Sequence, residues 1–166
     1  MSDVADGAIV SLLLADFANI DADKKVNIIG AGISMVGIDP NTQLTAPHAV
    51  VARISFPPEF VGESPAIELS LEHEDGSLVT LPGPDGHPQF LRVGTADSLK
   101  PAVAPGMNVP PNTVRPSHQF VMHFANGLPL QPNKRYTWRV RVDHDTHDEW
   151  TETFYVLTAD PGAVFG

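Results

Sequence analysis

The chain has no cysteine. That excludes disulfides and thiol nucleophiles, and leaves a metal such as zinc only histidine and carboxylate ligands. Basic side chains are scarce: ten Lys and Arg stand against twenty Asp and Glu, a formal charge of −10. A field of that sign repels phosphate backbones and anionic headgroups, so neither nucleic acid nor a membrane is an expected partner. Long apolar runs are missing as well. The stretch from Ala8 to Ala15 is too short to cross a bilayer. Met1-Ser2-Asp3-Val4-Ala5-Asp6 carries acids where a signal peptide carries bases, so no signal peptide is expected.

Turn-forming residues are abundant. Sixteen prolines and 13 glycines in 166 residues divide the chain into many short elements, which argues for strands and against long helices. The hydrophobic share of 42% with 18% charged residues lies outside the disordered regime. A chain of this length buries roughly 70% of its unfolded surface without staples. One domain over residues 1–166 is expected, with an N-terminal tail at 1–7, a proline-rich excursion at 101–116 and a C-terminal tail at 160–166.

Apolar periodicity supplies the strands. Ala8 to Ile20, the polar turn Asp21 to Lys25, and Val26 to Gly30 read as a hairpin whose arms are apolar on both faces, as at the centre of a packed structure. A buried helix is the competing reading for Ala8 to Phe17. Ala49 to Phe56 is rich in β-branched residues and stops at Pro57-Pro58. Ile67 to Glu72 alternates, turns at Glu74-Asp75-Gly76 and resumes over Ser77 to Leu81, a hairpin pattern. Phe90 to Val93 is a short strand, and Phe120, Met122 and Phe124 share one face opposite His123. Tyr136, Trp138, Val140 and Val142 alternate with Thr137, Arg139, Arg141 and Asp143, and Thr151 to Thr158 follows as partner. The sum is an all-β fold: a two-sheet antiparallel β-sandwich of about nine strands with a proline-rich loop.

Several residue groups invite a chemical reading. Val26-Asn27-Ile28-Ile29-Gly30-Ala31-Gly32 runs into Gly-x-Gly, but Met35 stands where a dinucleotide fingerprint has its third glycine and no βαβ unit follows. Ser34, in Gly32-Ile33-Ser34-Met35-Val36, lacks the second glycine of a nucleophile elbow. His73, His118 and His123 are expected to be spread along different strands, and no nucleophile pairs with a base by spacing, so no catalytic residue is assigned. Asp16, between Leu14 and Phe17, reads as a carboxylate among apolar neighbours in need of a partner such as Lys25 or Arg53. The densest ionisable group is Asp143, His144, Asp145, His147 and Asp148, beside Glu149. It could hold a divalent cation, although a solvated hairpin loop is the commoner use of such a composition. No other cofactor is expected.

Leu14-Ala15-Asp16-Phe17-Ala18, Asp23-Lys24, Val26 to Gly32, Ala52-Arg53, Glu74-Asp75-Gly76, Leu128-Pro129-Leu130 and Tyr136 to Val140 together make the chain resemble an uncharacterised all-β domain family of bacteria and their phages. Ala22 departs from a usual turn glycine, and Pro132-Asn133 from a Pro-Gly-like turn; Asn tolerates the left-handed backbone such a turn requires. The shared motifs are turns and strands, so the resemblance implies a sandwich and carries over no catalytic residue. It implies a structural role as a phage particle accessory protein, a decoration or minor capsid protein on the outer shell, located in the virion if phage-encoded and otherwise in the cytoplasm. The expected partner is protein, capsid subunits or copies of the chain itself. Pro105, Val109 and Pro110 of the proline-rich segment and Val164 and Phe165 of the tail are the expected contacts, because rigid prolines lose little entropy on docking. The alternative is a cation- or ligand-binding sandwich that uses the acidic loop.

Overall fold

The computed structural model describes residues 1–104 and 106–158. Eleven strands run through these residues: β1 (Ile9–Ile20), β2 (Val26–Ala31), β3 (Met35–Ile38), β4 (His48–Ser55), β5 (Ile67–His73), β6 (Thr80–Pro82), β7 (Pro88–Phe90), β8 (Arg92–Thr95), β9 (Ser117–Phe124), β10 (Lys134–Val142) and β11 (Thr151–Thr158). They form a four-stranded sheet ordered β2-β1-β4-β9, a five-stranded sheet ordered β3-β11-β10-β5-β8, and a two-stranded ribbon of β6 and β7. The expected all-β, sandwich-like fold is what the chain adopts.

The two large sheets share one core because each turns its apolar alternation toward the other. Leu14 on β1, Val50, Ala52 and Ile54 on β4, and Phe120 on β9 pack with Leu69 and Leu71 on β5, Tyr136, Trp138 and Val140 on β10, and Phe154 and Val156 on β11. Phe124 stacks on Trp138 at 5.9 Å between ring centres. Burying a side chain of this class contributes about 1.5–3 kcal/mol, so the shared layer is the main source of stability. Backbone polar groups at the rim are met locally. The Gln131 N–H donates to the Tyr136 hydroxyl at 2.9 Å, and Thr45 and Leu128 exchange two bonds, Thr45 N–H to the Leu128 carbonyl and Leu128 N–H to Thr45 Oγ1.

The structure corrects the sequence reading at several points. Residues 1–7 are not a tail. Asp3–Asp6 form a short helix, α1, capped by Ser2, and Ala5 is fully buried. The hairpin of β1 and β2 exists, but β2 is an exposed edge strand and not a central one. Beyond β4, whose last partner on β1 is Ala15, the distal half of β1 pairs only with β2. Met35–Ile38 form an unexpected strand that lies parallel to β11, in a structure otherwise paired antiparallel among the described residues. The hairpin after β5 closes for a single bridge, Glu72 to Leu78, before the chain leaves to build the β6–β7 ribbon.

Candidate functional site

The proline-rich segment begins and ends at one place. Pro101 and Pro116 bridge to each other, the Pro116 carbonyl accepts from the Phe56 N–H at 2.9 Å, and Leu99 exchanges bonds with Glu63 and Gly62. The excursion is therefore tied at its base to the end of β4 and to the 3-10 turn Pro58–Phe60 that follows it. Between these ties proline denies the chain the N–H groups that a strand ladder needs, and the segment curls over Val61 instead of pairing. The result is an open cleft of about 160 Å³ lined by Val61, Pro101, Val103, Val109, Pro110 and Val114, with Asn112 as a polar member of its wall. Met107 stands exposed on the same segment.

The size and lining of the cleft decide what it can take. Small-molecule sites run to roughly 300–1,000 Å³ with a few converging polar groups, whereas an apolar cavity of about 150 Å³ accommodates a benzene ring. A single aromatic or branched aliphatic side chain from another protein fits; a nucleotide or a flavin does not. Of the expected contacts, Val109 and Pro110 line this cleft, whereas Pro105, Val164 and Phe165 lie outside the described residues. Val61, Val103 and Val114 escaped the sequence reading. Valines spaced through a proline-rich run are the trace they leave, but nothing local to the loop marks Val61 as its neighbour.

The acidic loop between β10 and β11 takes a structural part. Asp143 Oδ2 accepts from the Ser2 hydroxyl at 2.8 Å and Asp143 Oδ1 from the Ala66 N–H at 2.9 Å, while Asp145 Oδ2 accepts from the Ser2 N–H at 2.9 Å. These carboxylates hold α1 against the loop. The His147 ring lies edge-on to Trp150 at 4.4 Å, and His144 and Asp148 point to solvent. Among the described residues no three carboxylate or imidazole groups converge as metal ligands. Asp16 is exposed and not set among apolar side chains. It lies opposite Gly30, whose missing side chain leaves room for the carboxylate: a Cβ there would sit 2.0 Å from Asp16 Oδ2.

A second, larger recess of about 450 Å³ opens between the turn after β5 and the start of β10, lined by His73, Glu74, Asp75, Gln131, Lys134 and Arg135 among others. All of its lining residues are polar or charged, unlike the apolar residues that predominate in typical ligand sites. Asp75 is already engaged with the Ser77 hydroxyl and N–H, which hold its carboxyl below the usual range. His73 packs against Tyr136 at 5.4 Å between ring centres. His118 packs edge-on to Phe120, and burial lowers its pKa against the opposing pull of Asp97. His48, which the sequence reading passed over, is fully buried between Phe124 and Phe154. No protein-family model matches the chain, and no curated protein matches it significantly.

Proposed function

We propose that the protein is a non-enzymatic interaction module whose proline-rich segment captures an apolar side chain of a protein partner. The observation that carries this reading is the cleft beside Val109 and Pro110: it is apolar, of single-side-chain size, and built on a segment tied at both ends to the sandwich. Preorganisation of that kind lowers the ordering cost of docking. Met107, exposed on the same segment, adds a flexible apolar contact of the sort found at protein-binding surfaces.

Within that class, the family resemblance favours an accessory protein on the outer shell of a phage particle, a decoration or minor capsid protein. The formal charge of −10 suits a position facing away from packaged DNA. Mass spectrometry of purified particles tests the reading: the chain is expected in reproducible stoichiometry, and its loss is expected on Val109→Asp, which sets a charge in the cleft wall without touching the core. Particles that repeatedly lack the wild-type chain would remove the virion assignment. Retention of the Val109→Asp chain at wild-type level would remove the cleft.

A further inference from the structure

The outer faces of the two large sheets are unlike. That of the five-stranded sheet is charged, with Glu68 and Glu72 of β5 paired to Arg139 and Arg141 of β10. That of the four-stranded sheet is largely apolar, where an antiparallel sheet facing water ordinarily turns polar residues outward. Register puts Leu13, Val51 and Val121 in one row across β1, β4 and β9, and they belong to an apolar cluster separate from the core. In the next row Ala15 and Ala49 are fully buried, beside the rings of Phe17 and His123, which meet edge-on at 4.8 Å. Phe17 in turn lies opposite Ile29 of β2, which is 65% exposed. Charge enters this face at one point. Arg53 stands between Ser11 and Gln119 in the row beyond Val51, and from Ile9 to Asn19 of β1 no other residue of the face or its register partners is charged. Asp16 points to the opposite side of β1, as alternation along a strand requires. Arg53 is exposed and makes no ion pair among the described residues.

We propose that this face takes an amphipathic helix of a different protein, laid along β4 with a carboxylate at the margin of its apolar stripe paired to Arg53. A helix suits the face because its backbone groups are satisfied internally, whereas a lone strand would bring unpaired N–H and C=O groups onto apolar side chains. The spacing also fits. Rows of the sheet repeat about every 6.8 Å along a strand, and helix residues four apart rise about 6 Å, so an acid over Arg53 sets an apolar side chain over the Leu13–Val51–Val121 row. Charge complementarity decides whose helix it is. A second copy of this chain finds no carboxylate on the face for its own Arg53, and the net charge of −10 opposes its approach. An anionic membrane is repelled by the same charge. The sheet spacings give roughly 400–500 Å² of face, below the roughly 800 Å² per partner of a standard interface. The complex is therefore expected to be transient, with Kd of roughly tens of micromolar. None of these residues lines the valine and proline cleft, so the surface is a second one.

The probe is a stapled helical peptide of about 18 residues, some 27 Å long, with a single Glu followed by leucines at helical spacing and Gln and Ala elsewhere. Its twin carries Lys in place of the Glu. Whole-chain charge and local charge predict opposite orders for the pair. The net charge of −10 favours the Lys peptide, and a carboxylate site at Arg53 favours the Glu peptide. At physiological salt, where charges are screened over about 8 Å, fluorescence anisotropy is expected to show the Glu peptide binding roughly tenfold tighter. Arg53→Glu, a change at an exposed position, should reverse that order with circular dichroism unchanged. Methyl resonances of Leu13, Val51 and Val121 should shift on binding. A Glu peptide that fails to bind at about 1 mM, or that binds the wild-type chain no better than its Lys twin, overturns the proposal. Shifts confined to Val61 and Val109 would give the peptide to the cleft and overturn it equally. So would a wild-type dimer in sedimentation that Arg53→Glu dissolves, since the face would then belong to a second copy.

Discussion

Glu72 is the strongest internal test of how the five-stranded sheet is held. It lies on the face of β5 turned away from the shared core, yet its side chain is only 3% exposed, and it is gripped by two arginines of β10. Arg139 Nε donates to Glu72 Oε2 at 2.9 Å, Arg141 donates to Glu72 Oε1, and Arg141 also reaches Ser70 Oγ at 2.8 Å. Removing one partner of a buried ion pair costs about 3–5 kcal/mol because the other charge is left uncompensated. Two features reduce that here. The arginines are 23% and 27% exposed and recover some water, and Arg141 keeps Glu68 at 3.7 Å. Glu72→Gln is therefore expected to destabilise by about 2–3 kcal/mol, at or just below the lower limit of that range. At about 2–4 °C per kcal/mol for a chain of this size, Tm falls by roughly 4–12 °C. Urea denaturation followed by the fluorescence of the buried Trp138 and Trp150 measures it, with an unchanged slope showing that the unfolded reference has not moved. Arg139→Gln should cost less, since Glu72 keeps Arg141. A Glu72→Gln chain within about 0.5 kcal/mol of wild type, the range of ordinary surface substitutions, would refute the idea that this cluster holds β5 to β10.

The sequence disclosed the fold where the two faces of a strand differ in kind. Tyr136, Trp138, Val140 and Val142 alternate with polar residues because one face meets the second sheet and the other does not, and that strand lies where the alternation put it. Apolar content misled at β2, where it was read as burial inside the chain. Hydrophobicity records that a surface is to be covered and is silent on what covers it. The hairpin after β5 has its turn, with Gly76 at φ 80° and Asp75 accepting from Ser77, but the second arm leaves early because the Leu91 carbonyl takes the N–H of Leu71. That competitor lies some twenty residues along. β3 left no local trace at all, since its parallel partner is more than a hundred residues distant and its own length is four. The cleft was half legible. Proline density announced an irregular, docking-competent segment and picked out Val109 and Pro110, while the closing bridge at Pro101 and Pro116 and the placement of Val61 depend on tertiary contacts. The acidic loop was legible as a cluster but not as a clamp, because its partners, Ser2 and Ala66, come from elsewhere in the chain.

Two further expectations follow from close packing and from buried imidazole. Gly127 sits at φ 74°, and a Cβ there would lie 1.8 Å from the Thr45 carbonyl oxygen, inside the Thr45–Leu128 clamp; Gly76 is equally left-handed, at φ 80°, but faces open space. Gly76→Ala should therefore cost only the left-handed strain of about 1–2 kcal/mol, and Gly127→Ala distinctly more, about 4 kcal/mol or above; equal losses in the same denaturation assay would show that the clamp yields. His48 donates Nδ1–H to the Ala46 carbonyl at 2.9 Å and has no partner at Nε2 among the described residues. Burial lowers its pKa below 6.5, against the pull of the Ala46 carbonyl and with a smaller push from His123. The unfolded chain then takes up a proton near pH 6.5 while the folded chain still refuses it, so the unfolded state binds more protons and stability falls as the pH drops below that value. The fall continues until the folded imidazole itself titrates, and above pH 6.5 the contribution is complete. Unfolding free energies between pH 7.5 and 5 should therefore decline more steeply for the wild-type chain than for His48→Leu. Part of the slope will remain in the variant, because burial lowers the pKa of His118 as well. Identical pH profiles for the two chains would mean that His48 is reached by water, and that the contact of its ring with Phe124 and Phe154 does not seal that end of the sandwich.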